Sequence, residues 1–156
     1  MIATWRTALL AAASLGIAAA SPAAGAKPAW AVAVLPSGAE FTLEIAADPD
    51  SRSRGYMGRE SVGPREGMLF VFERPERHGF WMKNCLVPLD MIWLDDSRRV
   101  VDVSHSVPPC PPGGECPEVR PKGASRYVLE IQSGAATRHG LKVGDQVVIL
   151  SDPALP

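Results

Sequence analysis

The chain has 156 residues, with 16 Lys and Arg against 17 Asp and Glu, and its formal net charge is −1. This length predicts a single domain with enough material for its own core. The near balance of charge, with no basic stripe along the chain, argues against nucleic acid as a partner.

The first 26 residues have the pattern of a signal peptide. Arg6 supplies a short positive region, and residues 8–20 form a run of apolar and small side chains. The run is too short to span a bilayer and fits the apolar region of an export signal. Ala24–Ala26 offers a cleavage site of the A-x-A type, with Ala18–Ala20 as the alternative.

This signal defines the plan of the chain: a signal peptide at 1–26, an N-terminal leader at 27–39 and a single globular β-rich domain at 40–151. The mature protein is predicted to be secreted, with the periplasm favoured over the space outside the cell. No later apolar segment is long enough to span a bilayer, so we predict no membrane span after signal cleavage.

The cysteines fit an oxidising compartment. Cys110 and Cys116 flank a Pro- and Gly-rich loop and predict a disulfide. A metal pair is the weaker alternative, because no further Cys or His lies at ligand spacing. Cys85 is left over on an apolar segment and is predicted to be a buried, unreactive thiol.

The first predicted elements are short strands around one helix. Residues 29–35 have the pattern of an edge strand, and residues 41–45 alternate as a strand with one exposed face. The Asp-Pro pair at 48–49 predicts the start of a helix that ends near residues 55–58. Residues 67–72 are almost continuously apolar, which predicts a strand covered on both faces.

The second half continues the β pattern. In chain order, we predict a charged turn at 73–77, strands at 78–84, 89–94, 100–107 and 126–131, a helical turn at 133–139 capped by Ser133, and a last strand at 146–150. Glu130 lies opposite Leu129 and Ile131, on a face that we expect to be exposed. The fold class is therefore mainly β (α+β): a compact antiparallel barrel-like or small sandwich domain of about seven or eight short strands with two short helices.

Polar side chains set into the most apolar part of the chain form the first candidate site. Lys83 and Asn84 precede Asp90 across a short break, so strand pairing would bring a cation, an amide and a carboxylate together. They would line a polar pocket. The alternative is a purely structural Lys83–Asp90 ion pair that fixes the register of the two strands.

Two further sets of charged residues are candidates. Arg54 and Arg59 lie at the predicted end of the first helix, where Arg can hold a carboxylate or phosphate with two hydrogen bonds, or simply be solvated. Asp90 and Glu130 could form a carboxylate pair of the kind that glycosidases use, against the ordinary interpretation of a solvated face.

Metal chemistry is weakly indicated. Met57, Met68, Met82 and Met91, with His78, raise Cu(I) as a candidate, because thioethers and imidazole are soft ligands. Core packing explains the same Met pattern better. No zinc motif, phosphate-binding loop or dinucleotide fingerprint occurs, so neither a metal nor a cofactor is predicted.

Several motifs resemble one known family. They are Arg54-Gly55-x-Met57, Glu66–Phe72, Phe80–Asn84, Pro88–Met91, Tyr127–Glu130 and Gly140-x-x-Val143-Gly144-Asp145. In order and spacing they are similar to the domain of unknown function 192, over about residues 41–150. The resemblance implies a compact β-rich domain, frequently secreted by bacteria, and brings no established activity. Family members usually have Thr after the Lys-Asn pair, whereas this chain has Cys85.

The sequence thus favours an exported, non-catalytic binding module. Its partner would be a small ligand, an envelope glycan or a protein. The alternatives are a cell-envelope hydrolase that uses Asp90 and Glu130, and a copper-handling protein. The candidate ligand-binding residues are Arg54, Arg59, Lys83, Asn84, Asp90 and Glu130.

Overall fold

The structure, a computed structural model, describes residues 29–151 and residue 155. The predicted signal peptide lies outside the described residues. The described elements, in chain order, are β1 (Trp30–Val34), β2 (Glu40–Ala46), α1 (Pro49–Arg54), β3 (Glu66–Glu76), β4 (Leu89–Leu94), β5 (Val100–Val107), β6 (Ser125–Gln132), α2 (Ala135–Arg138) and β7 (Val148–Ser151). None of the helices in this part of the chain is long and apolar enough to cross a membrane.

The strands form one sheet in the order β5-β4-β6-β3-β2-β1-β7. All neighbours are antiparallel except β2 and β3, which run parallel. The sheet is not closed, but the amide of Val100 donates to the carbonyl of Asp145 at 2.8 Å, and Arg99 pairs with Gln146. The start of β5 therefore lies beside the chain that enters β7. The mainly β, mostly antiparallel fold with two short helices is confirmed.

The main core lies on one face of the sheet. Leu43, Leu69 and Leu129 from three adjacent strands are fully buried in it, and α2 packs against them through Ala135 and Ala136. Because side chains alternate along a strand, the residues between these positions point to the other face.

The opposite face carries a second cluster, which we call the cleft-side core. Met68, Phe70, Met91, Trp93 and Val128 belong to it, and all are nearly or fully buried. Its cover consists of side chains that follow α1 and of an irregular stretch at 78–88, which we call the 78–88 segment. Strands β3, β4 and β6 are thus covered on both faces, which the apolar run at 67–72 predicted for β3 alone.

Two predicted elements are wrong in the middle of the chain. The charged stretch at 73–77 is not a turn, because β3 continues through Glu76, with an irregular register beyond Val71 that accommodates Pro75. Residues 78–84 do not form a strand. Only Phe80 pairs, with Val119.

Other predictions are confirmed or refined. The predicted strand at 89–94 is β4, and the helix predicted from residues 48–49 is α1. The leader contributes β1, which lies between β2 and β7 and is therefore not an edge strand. Helix α2 is not capped by Ser133, since Gly134 occupies its N-cap position without a side-chain hydrogen bond.

The predicted disulfide is present between Cys110 and Cys116, whose Cα atoms are 5.0 Å apart. Cys85 is free and buried, as predicted. The amide of Cys110 donates to the carbonyl of Met82, so the disulfide loop is attached to the 78–88 segment.

Candidate functional site

A cleft of about 370 Å³ opens on the side of the cleft-side core. Its floor is formed by Phe70, Phe72 and Glu130, which belong to β3 and β6. One wall consists of α1 and the residues after it, and the 78–88 segment forms the other wall. The cleft therefore lies between the two parts of the chain that cover this face of the sheet.

The α1 wall is fixed by local sequence. The Asp48 carboxylate accepts hydrogen bonds from the amides of Asp50 and Ser51 at 3.0 and 2.9 Å, and the Ser51 hydroxyl accepts from the Asp48 amide at 3.2 Å. This reciprocal cap starts the helix. The Arg52 guanidinium donates to the carbonyl of Val71 at 3.0 Å, which attaches α1 to β3. Arg54, in the last turn, is thereby held at the mouth of the cleft.

The opposite wall is irregular but well anchored. Phe80 and Val119 exchange two backbone hydrogen bonds of 2.9 and 2.7 Å, and the Trp93 indole donates to the carbonyl of His78 at 3.1 Å. The Phe80 ring packs edge-on against Phe70, with 4.9 Å between centroids. Aromatic contacts thus continue from the floor into this wall, where Trp81 remains half exposed.

Glu130 is the unusual residue of the floor. It is only 4% exposed, and its Oε2 atom has no hydrogen-bond partner. Its cross-strand neighbours, Met68 and Met91, offer no donor. Burial raises the pKa of Glu130 to about 8, although the nearby Arg59 guanidinium acts in the opposite direction. Burial of an ionised carboxyl without a partner costs free energy, so this environment favours the protonated form of Glu130.

Two positive side chains stand at the mouth. Arg54 and Lys83 line the cleft and are exposed, and neither makes an ion pair with the part of the chain that the structure describes. The Lys83 ammonium lies 5.1 Å from the centroid of the Trp81 ring, a cation–π contact. Glu130 is the only carboxyl among the described lining residues. The cleft therefore has positive side chains at its mouth and a single buried carboxyl at its floor.

Tyr56 and Cys85 also line the cleft, and the sequence did not indicate either as a site residue. Burial raises the pKa of the Tyr56 hydroxyl. Burial, and to a smaller extent the charge of Glu130, raises the pKa of the Cys85 thiol to about 11. Both groups therefore stay protonated near neutral pH. The family resemblance was the one signal that marked position 85, because this chain departs from the usual Thr there.

The structure brings three of the six predicted residues together in the cleft: Arg54, Lys83 and Glu130. Arg59 lies nearby but pairs with Glu44, with 2.6 Å between Nη2 and Oε2, and its guanidinium lies over the Tyr56 ring.

Asn84 is exposed and has a left-handed backbone, with φ of 55°. Its carbonyl accepts from the Gly58 amide at 2.9 Å, and its side-chain amide lies 3.9 Å from the Met57 sulfur. Asn84 therefore links the two walls and does not line the cleft.

Asp90 is elsewhere. It is fully buried, and its carboxylate accepts hydrogen bonds from the amides of Ser106, Gly134 and Ala136 at 2.7, 3.0 and 2.8 Å. The predicted Lys83–Asp90 pair does not form. Asp90 is satisfied by backbone donors at the start of α2, while Lys83 is exposed on the 78–88 segment.

Asp90 and Glu130 point to opposite faces of the sheet. Asp90 is the cross-strand partner of Ile131, so the two share the face of the main core, and Glu130, one residue earlier, faces the cleft. The two carboxyls cannot act on one bond from opposite sides of a sheet. The predicted carboxylate pair is therefore wrong, and the exposed face expected for Glu130 is also wrong, because the 78–88 segment covers it.

The Met residues behave mostly as core side chains. Met68, Met82 and Met91 are almost fully buried in the cleft-side core, and Met57 is the one Met of the described residues that lines the cleft. His78 stacks on the Phe72 ring, with 3.6 Å between centroids. No group of three or more His, Cys, Asp or Glu in the described residues could hold a metal ion.

Comparisons with known proteins agree on the fold. The model of the DUF192 family, described as "Uncharacterized ACR", matches residues 32–149. A protein from Sinorhizobium meliloti, described as a candidate transcription regulator, is similar at 29% identity and a TM-score of 0.69, over 78% of this chain and 93% of that chain. A protein of unknown function from Novosphingobium aromaticivorans is similar at 31% identity and a TM-score of 0.68, over 83% of this chain and 91% of the other. No curated protein matches the sequence significantly.

Proposed function

The chain belongs to the DUF192 family, which is described as uncharacterized, and we therefore propose its function from its own cleft: it is a binding module that holds a small organic ligand without transforming it. The observation that carries this proposal is Glu130, a buried carboxyl with an unpartnered oxygen at the floor of a cleft. Such a group lowers the stability of the empty protein and is satisfied when a ligand supplies a partner.

The shape of the cleft supports a small ligand. Its volume of about 370 Å³ lies at the lower end of the usual range for ligand sites. Phe70, Phe72, Phe80 and Trp81 provide aromatic surface on the floor and one wall. A planar ring or the apolar face of a sugar would pack against them, so an envelope glycan fragment fits within the same proposal.

Binding is favoured over catalysis by what the cleft contains. Hydrolysis by paired carboxyls needs a second acid, and Glu130 is the only carboxyl among the described lining residues. Cys85 is a poor nucleophile, because its pKa of about 11 keeps the thiol protonated.

DNA binding, which the description of the Sinorhizobium protein suggests, is not part of the proposal. The net charge is −1, so the chain carries no overall attraction for phosphate. Several arginines are already matched by carboxylates: Arg59 by Glu44, Arg120 by Glu118 and Arg126 by Asp96.

We place this activity outside the cytoplasm, in the periplasm. The export pattern of the first 26 residues supports the location, and the Cys110–Cys116 disulfide is consistent with an oxidising compartment.

An NMR titration tests the binding site directly. Small aromatic acids and N-acetylated sugars are added to the isotope-labelled chain, and we expect the signals of Gly79, Trp81 and Tyr56 to shift together. Replacing Trp81→Ala should weaken the affinity about tenfold, because half of the aromatic wall is removed.

Trp30→Ala is the matched control for this experiment. Trp30 is also half exposed, but it lies on β1 and not in the cleft. Equal affinities for the Trp81 variant and the unchanged protein, or shifts that map to β1, would contradict the proposed site.

A further inference from the structure

The charge pattern of the cleft restricts the ligand further. Glu130 interacts electrostatically with Tyr56 and Arg59 in the loop after α1 and with Cys85 of the 78–88 segment. Arg52 and Arg54 of α1 and Lys83 of the 78–88 segment line the same cleft. Four of these six groups are Arg or Lys side chains, and one of the four, Arg59, is paired with Glu44. No other carboxyl lines the cleft in the described residues.

The floor itself offers a hydrogen-bond donor. The Oε2 atom of Glu130 has no partner, and the side chain is 96% removed from solvent. A protonated carboxyl in this position presents an O–H group to whatever occupies the cleft. A ligand oxygen that accepts this hydrogen bond removes the penalty of the unsatisfied group.

A positively charged ligand group is disfavoured. It would ionise Glu130 and gain one ion pair, but it would also approach the guanidinium and ammonium groups that line the same cleft. The favourable place for ligand charge is the mouth, where Arg54 and Lys83 are exposed and are not committed to ion pairs within the described chain.

We propose that the ligand, in the cleft that the proposed function rests on, is an organic anion whose apolar body carries an uncharged oxygen acceptor. The Glu130 carboxyl donates to this acceptor at the floor, and Arg54 and Lys83 bind the negative charge at the mouth. Amide carbonyls, such as those of N-acylated amino acids and acidic N-acetylated sugars, have the required chemistry.

The donor is present only while Glu130 is protonated. Burial raises the pKa of Glu130 to about 8, so the donor persists at neutral pH and is lost as the pH rises through that value. The affinity should therefore fall about tenfold between pH 6 and pH 9, because the fraction of protein with a protonated Glu130 falls about tenfold for each pH unit above the pKa.

Three probes with the same aromatic body separate the contributions. N-acetyl-L-phenylalanine is an anion with an amide acceptor, N-acetylphenethylamine has the acceptor without charge, and phenethylamine is a cation without the acceptor. NMR titrations of the purified chain at about pH 6 should give affinities in that order. The anion should lose about tenfold in affinity at about pH 9.

Variants assign the two ends of the ligand. Glu130→Gln keeps an N–H donor but cannot ionise, so it should bind N-acetyl-L-phenylalanine at every pH nearly as the unchanged protein does at pH 6. Arg54→Gln combined with Lys83→Gln should bring the anion to the affinity of N-acetylphenethylamine. Lys142→Gln removes an exposed cation that does not line the cleft, so it should change the affinity for neither N-acetyl-L-phenylalanine nor N-acetylphenethylamine.

The outcomes separate this inference from the proposed function. The inference is overturned if phenethylamine binds more tightly than N-acetyl-L-phenylalanine, or if the affinity for N-acetyl-L-phenylalanine stays constant or rises with pH. Either result is still compatible with a small-ligand site in the cleft. Failure of all three probes to shift cleft signals at pH 6 counts against the proposed function and removes the inference with it.

Discussion

The environment of Glu130 disfavours the ionised form of its carboxyl. It sits between two Met side chains on neighbouring strands, and one of its oxygens has no partner. Proteins rarely keep such a carboxyl for stability, because an apolar side chain of similar volume would pack there at lower cost. Its presence at the floor of a cleft therefore supports the proposed binding function.

The pH dependence of stability tests this environment. The folded-state pKa of about 8 lies above the ordinary value of 4.5, so the folded protein binds more protons than the unfolded chain between these values. The contribution of Glu130 to the free energy of unfolding is therefore fully present below about pH 4.5. It falls as the pH rises to about 8, by about 1.4 kcal/mol for each unit of pKa shift.

Urea unfolding of the wild-type chain and of Glu130→Gln between about pH 5 and pH 9 measures this contribution. The wild type should lose stability relative to the variant as the pH rises, by a few kcal/mol in total. Glu118→Gln, at an exposed position, is the control and should follow the wild type. Parallel profiles for wild type and Glu130→Gln would show that Glu130 is ionised without cost.

At the residue scale, the sequence predicted which face of the sheet a side chain points to better than it predicted what covers that face. Alternation correctly separated Glu130 from Leu129 and Ile131. Alternation along one strand does not report what covers a face, and here the cover is the 78–88 segment, which is distant in the chain. Asp90 was misassigned for a related reason, because its donors come from Gly134 and Ala136, more than forty residues away.

At the element scale, Asp90 joins three pieces of structure. Its carboxylate, on β4, accepts from the Ser106 amide in β5 and from the Gly134 and Ala136 amides at the start of α2. Helix α2 has only four residues and no side-chain cap of its own. A buried carboxylate replaces the missing cap and holds the helix against the sheet.

Replacing Asp90→Asn should therefore lower the free energy of unfolding by about 3 kcal/mol. The amide keeps one acceptor oxygen but turns its N–H₂ group toward a backbone donor, and hydrogen bonds to a charged, buried group are lost. Urea unfolding near pH 7 measures the effect.

Asp95→Asn is the matched control. Asp95 also accepts from two backbone amides, those of Ser97 and Arg99, but in a half-exposed turn where water can compensate. Its loss should cost about 1 kcal/mol or less. Similar losses for both variants would contradict the structural role of Asp90.

The elements with local signals were predictable, and those defined by distant contacts were not. The Asp48 cap and Pro49 mark the start of α1, and an unbroken apolar run marks β4. The 78–88 segment has the composition of a strand but pairs only at Phe80, and the left-handed backbone of Asn84 departs from extended geometry. No local pattern reveals that its partner is Val119, beyond the disulfide loop.

At the scale of the whole molecule, the sheet supplies two separate surfaces from the same strands. The face of β3, β4 and β6 that carries the main core is sealed, and the other face carries the cleft. Composition and turn spacing were sufficient to predict a mainly β fold with two short helices. Strand order was not predictable, because neighbours such as β3 and β6 are far apart in sequence.

Export is the prediction that belongs to the whole chain. When the gene is expressed in a bacterium with its own N-terminus, the protein should be recovered from the periplasm with Lys27 as its first residue. Mass spectrometry should also find Cys110 and Cys116 oxidised, about 2 Da below the reduced form, with Cys85 as a free thiol.

A chain expressed without residues 1–26 is the control for export. It should remain in the cytoplasm, with all three thiols reduced. Recovery of the full-length chain from the cytoplasm with its first residues intact would contradict the export signal.

The alternation of Leu129, Glu130 and Ile131 along β6 also protects the sheet against misfolding. A slip of β6 by one residue against β3 or β4 would turn the carboxyl into the main core and two large aliphatic side chains toward the cleft-side core. Neighbouring strands this apolar would otherwise tolerate several alignments. During refolding, the group that we propose recognises a ligand would therefore also reject the incorrect strand alignment.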